Sequence, residues 1–159
     1  GCLLMLLATS KILKNDSAIR LIKLEQNVKL NFVDHLVVDG QITLDEASYR
    51  KLIDSNNSHL FVVIDKQLVV GMLTLAIYQS PTGIKAMIED VVVDIPHRGK
   101  GLGKRMIEHA ILFAQSKGVE RLMLTSRPSR LDANKLYQSM GFKQKETNVY
   151  VMNFIDSTV

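Results

Sequence analysis

The chain has 159 residues, 47% of them hydrophobic and 23% charged, with a formal net charge of +4. That balance suits one compact domain with an anionic partner, which leaves a nucleotide cofactor, nucleic acid and an acidic membrane surface open. The single cysteine, Cys2, excludes an intrachain disulfide, and four scattered histidines give neither a structural zinc pattern nor a metalloprotease helix.

From the N-terminus, residues 2–8 are apolar but follow no basic segment. They are also far fewer than the roughly 20 residues that span a bilayer, so they predict no membrane anchor. Residues 1–10 read as an extension and residues 11–159 as the domain, in a reducing, cytoplasmic setting; no repeat or low-complexity tract marks a linker. Residues 18–25 predict a strand, and residues 28–38 and 44–54 predict helices from apolar spacings of three and four. Residues 59–65 and 68–78 are rich in valine, isoleucine and leucine, and the polar Asp65-Lys66-Gln67 predicts an antiparallel hairpin between them. Ser80-Pro81-Thr82-Gly83 turns the chain again, and residues 86–94 form another β-branched run, closed by Pro96.

A glycine-rich stretch then leads into a helix over residues 102–116. Leu102, Met106, Ala110 and Ala114 recur there every fourth position beside Ile107 and Ile111, and Gly118 suits the C-terminal cap. Residues 121–126 predict a short strand. Ser129-Arg130-Leu131-Asp132 resembles a capping box opening a helix that turns Ala133, Leu136, Tyr137 and Met140 inward and ends at Gly141. Residues 142–154 alternate in part and predict one or two closing strands.

The densest chemistry lies in Asp94-Ile95-Pro96-His97-Arg98-Gly99-Lys100-Gly101-Leu102-Gly103-Lys104. Unpaired amides at a helix start point outward together, the helix dipole favours negative charge, and glycines admit an anion close to the backbone. This is not a Walker A loop. No Gly-Lys pair follows a glycine at the required distance, and neither Ser nor Thr follows Lys104. A dinucleotide fold fails too, because the glycines run Gly-x-Gly-x-Gly after several earlier strands, and Arg127 stands where an acid belongs.

The pattern Arg98-x-x-Gly101-x-Gly103, after the strand Ile88-Glu89-Asp90-Val91-Val92-Val93, resembles the coenzyme A signature of the GCN5-related N-acetyltransferases. The downstream Ala133-x-x-Leu136-Tyr137-x-x-x-Gly141-Phe142 strengthens the likeness, which covers residues 60–154. The resemblance implies an α/β fold of α+β type: one domain with a mixed, mostly antiparallel sheet of six or seven strands, about four flanking helices, and fourth and fifth strands that splay apart.

It also implies roles. The loop Arg98, Gly99, Lys100, Gly101, Leu102, Gly103 and Lys104 would hold the coenzyme A pyrophosphate, with Arg105 adding charge. The main chain of Val91, Val92 and Val93, the first and last above all, would hydrogen-bond the pantetheine arm. Tyr137 would protonate the leaving thiolate, and Asn134, one turn earlier, would touch the arm; the family often has Asn where this chain has Arg130. Glu89 would be the base for the amine, since it shares strand parity with Val91 and Val93 and since Ile88-Glu89-Asp90 resembles the matching strand of glucosamine-phosphate acetyltransferases. Asp90 is the fallback. His97 reads as a loop residue flanking the phosphates, and Arg127 and Arg130 read as solvated arginines, although an anionic acceptor would suit them.

The resulting expectation is direct transfer of an acetyl group from acetyl-CoA, as co-substrate and without a metal, to a primary amine of a small molecule or protein. A non-catalytic acyl-CoA-binding or regulatory module is the rival. Acetylation of a charged transfer RNA has less support, because only 6% of residues are aromatic and coenzyme A already accounts for much of the positive charge. A homodimer stays open, and the acceptor is unspecified.

Overall fold

The computed structural model describes residues 19–23, 46–66 and 68–154; the N-terminal extension and the helix expected over residues 28–38 lie outside them. The chain forms two compact units, one ending at Thr125 and the other beginning at Ser126.

The first unit is built on a five-stranded sheet in the order β1-β2-β3-β4-β5. The strands are β1 (Ile19–Lys23), β2 (Ser58–Asp65), β3 (Leu68–Ser80), β4 (Gly83–Val93) and β5 (Arg121–Leu124), and α1 (Glu46–Asp54) precedes β2. β1 to β4 are antiparallel neighbours. Short loops make this possible: Asp65 pairs with Leu68 across one turn and Ser80 with Gly83 across the next. The second pairing extends β3 to Ser80 and starts β4 three residues earlier than the β-branched run suggests. Ser80 Oγ stiffens that turn by bonding Thr82 Oγ1 and the Gly83 carbonyl. β5 runs parallel to β4, which requires a crossover, and α2 (Leu102–Ser116) supplies it.

Both faces of β2 and β3 are covered, as their near-continuous apolar runs require. Phe61, Val62, Val63, Val70, Leu73 and Leu75 are fully buried. α2 turns Leu102, Met106, Ile107, Ala110 and Ala114 inward, as its four-residue repeat predicts. Met106 sits over Gly71, whose missing Cβ leaves room for the helix. Phe61 meets His109 and Phe113 edge-on at centroid distances of 4.9 and 5.2 Å. Each such pair contributes about 0.5–1.5 kcal/mol beyond its buried area.

In the second unit, α3 spans Leu131–Ser139. The expected capping box does not form: the N-cap is Arg130, with no side-chain capping bond, which places Asp132 one position short of N3. Asn134 instead ties the first turn to the preceding loop, donating its Nδ2 to the Arg127 carbonyl at 2.9 Å.

The expectation of six or seven strands and about four helices is corrected to five strands, three α-helices and one 3-10 turn among the described residues. Residues 142–154 form no strand. Six polar residues, 143–148, break their alternation, and Val149, Tyr150, Val151, Met152 and Phe154 are 67–90% exposed. Without a buried face nothing fixes a register.

Candidate functional site

Two irregularities in β4 shape the site. Pairing with β5 covers only Lys85 to Ile88, because β5 ends at Leu124, so Glu89–Val93 run on without a strand partner on that side among the described residues. The pairing of the fourth and fifth strands thus stops where the resemblance expects them to part. The direction of the free groups follows from one bond: the Asp94 N–H donates to the Val70 carbonyl at 2.9 Å, toward β3. Alternation then turns the main-chain groups of Val93 and Val91 the other way, toward the open side.

The second irregularity is a bulge. Met72 faces Val92 while Thr74 faces Glu89, so β4 carries one extra residue between them. Asp90 absorbs it with φ of 53°, in the left-handed region that Asp tolerates better than most side chains. The extra residue corrects the parity argument for Glu89. Opposed residues share a face, so Glu89 lies with Thr74 and Val92, whereas Val93 lies with Gly71 on the α2 side. The signal was present in the sequence, where apolar positions 84, 86 and 88 give way to 91 and 93; Val92 obscured it.

Beyond β4 the chain makes a 3-10 turn, Ile95–His97, and enters the glycine loop. Gly99 and Gly101 take φ of 74° and 76°, values that strain any residue with a Cβ. Gly101 is the N-cap of α2, whose first turn has neither a side-chain cap nor an acidic residue. Among the described residues, the amides from Gly99 to Lys104 donate to no backbone carbonyl; the first helical bond is Arg105 N–H to Gly101 at 3.1 Å. Lys100, Lys104 and Arg105 lie in the same stretch of chain, and Lys104 makes only a loose 3.8 Å exposed pair with Glu108. Together they form a cradle for an anion.

Arg98 was expected to serve the anion, yet its Nε donates to the Val93 carbonyl at 3.0 Å. That bond ties the loop to the open half of β4. The outward groups left on β4 are the Val93 N–H and both groups of Val91.

The two candidate proton-transfer residues lie in different units and have different surroundings. Partial burial, reinforced by the neighbouring charge of Asp90, raises the Glu89 carboxyl above the usual carboxylate range. In the second unit, burial raises the Tyr137 phenol, and the Arg130 guanidinium pulls it partly back. Tyr137 is 6% exposed, and its ring stands edge-on to Phe142 at 6.1 Å. That contact belongs to the helix end: Gly141, at φ of 93°, lets the Phe142 N–H return to the Tyr137 carbonyl. Among the described residues, no three His, Cys, Asp or Glu side chains are grouped to ligate a metal ion, and no helix is long and apolar enough to cross a membrane.

Residues 29–142 match the family model described as the acetyltransferase (GNAT) family. N-acetyltransferase family 8 member 3 of Mus musculus is 29% identical over 103 residues, 64% of this chain and 46% of that protein. Glucosamine 6-phosphate N-acetyltransferase of Trypanosoma brucei brucei is 38% identical over 81 residues, 49% of this chain and 53% of that protein. A crystal structure of a Trypanosoma brucei acetyltransferase superposes with a TM-score of 0.69 at 25% identity, covering 85% of this chain and 99% of the other. The chain spans about half the length of the curated relatives it matches.

Proposed function

Since the chain belongs to the GNAT acetyltransferase family, whose members use acetyl-CoA as co-substrate, we propose that it moves an acetyl group from acetyl-CoA to a primary amine of a small molecule or protein. What carries this reading is the uncapped start of α2, where unbonded amides and basic side chains adjoin the unpaired half of β4. A pyrophosphate matches the first and an extended amide-bearing arm matches the second.

In this reading the amides from Gly99 to Lys104 take the pyrophosphate, with Lys100, Lys104 and Arg105 supplying charge. Val91 and the Val93 N–H present the edge that the pantetheine arm lies along, whereas Val92, expected to share this role, turns its main-chain groups to β3 opposite Met72. Asn134 keeps its carbonyl oxygen for the arm, because its Nδ2 is engaged at Arg127. Glu89, or Asp90 in its place, takes the proton from the amine directly or through one water, which frees the nitrogen lone pair. The nitrogen bonds the thioester carbon and gives up its second surplus proton to solvent, the C–S bond breaks to leave the amide, and the Tyr137 hydroxyl protonates the departing thiolate. Tyr137 then recovers a proton from solvent, and Glu89 releases one. Orientation and thiolate stabilisation supply most of the rate.

The measurement is thiol release from acetyl-CoA against a panel of primary amines, glucosamine 6-phosphate, aminoglycosides, polyamines and peptides among them. Turnover with an amine supports the reading. Tight coenzyme A binding with no thiol released above hydrolysis for any amine would turn it toward a binding module.

A further inference from the structure

We propose that His97 is a positioning residue for the donor, locking the entrance of the glycine loop to the β2–β3 corner through Asp65. The inference rests on the donor reading above and adds a residue pair to it.

The imidazole lies between two carboxylates. Its Nε2 is 3.3 Å from Asp65 Oδ2, and its Nδ1 is 3.5 Å from Asp94 Oδ2 without hydrogen-bond geometry. The ring is only 16% exposed. Asp65 is the last residue of β2 and pairs with Leu68 across the hairpin, so it is fixed by the sheet. Asp94 is fixed as well, because its N–H reaches Val70 and its carbonyl accepts from the His97 N–H at 2.9 Å. His97 therefore joins the 3-10 turn to a corner 32 residues earlier in the chain.

The next residue completes the arrangement. Arg98 Nε holds the Val93 carbonyl, so the loop is pinned from two sides immediately before Gly99. Beyond Gly99 the loop meets little protein: a Cβ at Gly99 or Gly101 would touch nothing within 4 Å. A glycine loop with so few contacts of its own must be ordered by its ends, and order present before binding is not charged against affinity. Neither His97 nor Asp65 is assigned to a reacting atom in this scheme. Their loss should weaken donor binding and leave the chemical step intact.

The test measures coenzyme A affinity by calorimetry, with donor KM and kcat followed separately, for His97→Ala, His97→Gln, Asp65→Asn and the double variant His97→Ala/Asp65→Asn. Expected is a rise of about tenfold in Kd and donor KM for His97→Ala and Asp65→Asn, as for loss of one charge-assisted bond. Saturated kcat stays within about twofold, and the double variant is no weaker than the worse single one. His97→Gln, which keeps a donor near the Nε2 position, recovers most of the affinity. An unchanged Kd in Asp65→Asn, which preserves shape, overturns the inference even if His97→Ala fails to fold; so do fully additive effects or a matching fall in kcat. Wild-type protein that binds no coenzyme A sinks the donor reading and this inference together. Binding by wild type with equal binding by the variants sinks this inference alone.

Discussion

The Nε of Arg98 donates to the main-chain carbonyl of Val93, five residues back, at 3.0 Å. This single bond joins the two halves of the candidate site, the anion cradle and the unpaired half of β4. Arg98→Lys keeps the charge but loses a donor held at a fixed angle, so the loop should come free of the strand. Donor KM is expected to rise about tenfold with kcat nearly unchanged, the lower end for a charge-assisted bond at an exposed site. Steady-state kinetics with acetyl-CoA varied will show it; equal KM for both proteins would mean that the guanidinium acts by charge alone.

Gly101→Ala separates the fold's need for glycine from the ligand's. At φ of 76° an added Cβ costs about 1–2 kcal/mol, although it meets no protein atom within 4 Å. Thermal unfolding should register that modest loss. Coenzyme A affinity should fall by much more than tenfold, because the methyl group occupies the ligand's side of the loop. Affinity tracking stability alone would place the anion elsewhere.

Glu89 gives a prediction with a definite sign. A base works ionised, and burial together with Asp90 raises its pKa, so the acid limb of kcat/KM should lie above the usual carboxylate range. Asp90→Asn removes the like charge while keeping a side chain that tolerates the left-handed bulge. The acid limb should then move to lower pH. Glu89→Gln should abolish it and slow turnover by about a hundredfold or more. A limb that survives Glu89→Gln belongs to another group.

Tyr137→Phe keeps the ring against Phe142 and deletes only the hydroxyl. Because burial raises the phenol's pKa, the proton is present throughout the neutral range and available for a leaving thiolate. The expected result is a fall of about tenfold to a hundredfold in kcat with donor KM little changed, read at saturating acetyl-CoA with a poor acceptor. Unaltered turnover assigns the proton to water.

Much of this was legible in the residues, for identifiable reasons. α2 was predicted at its observed bounds because its apolar positions recur with a helix period and a glycine stands at each end. The loop was legible because glycines between a β-branched run and an amphipathic helix have few other uses. The bulge at Asp90 was not, since Val91-Val92-Val93 fills both faces and hides the change of phase. Nor was the Asp65–His97 contact, which depends on a register that brings together residues 32 apart. The closing strands expected over residues 142–154 do not form, and Val149, Tyr150, Val151, Met152 and Phe154 remain exposed. Alternation reports a strand only where a face is covered.

The open half of β4 carries one more consequence. A sheet edge with free amides and carbonyls invites any extended chain, including another copy of the same protein, so an enzyme that keeps one for its substrate exposes itself to unwanted pairing. Here the vulnerable length is five residues, Glu89–Val93, with an acidic pair at one end, a bulge that breaks the ladder, and Pro96 beyond the other end. Those same features that shape a slot for a thin, amide-bearing arm make a poor template for a flat strand. The donor, when bound, would also act as a guard, and concentrated ligand-free protein should self-associate more readily than protein saturated with coenzyme A.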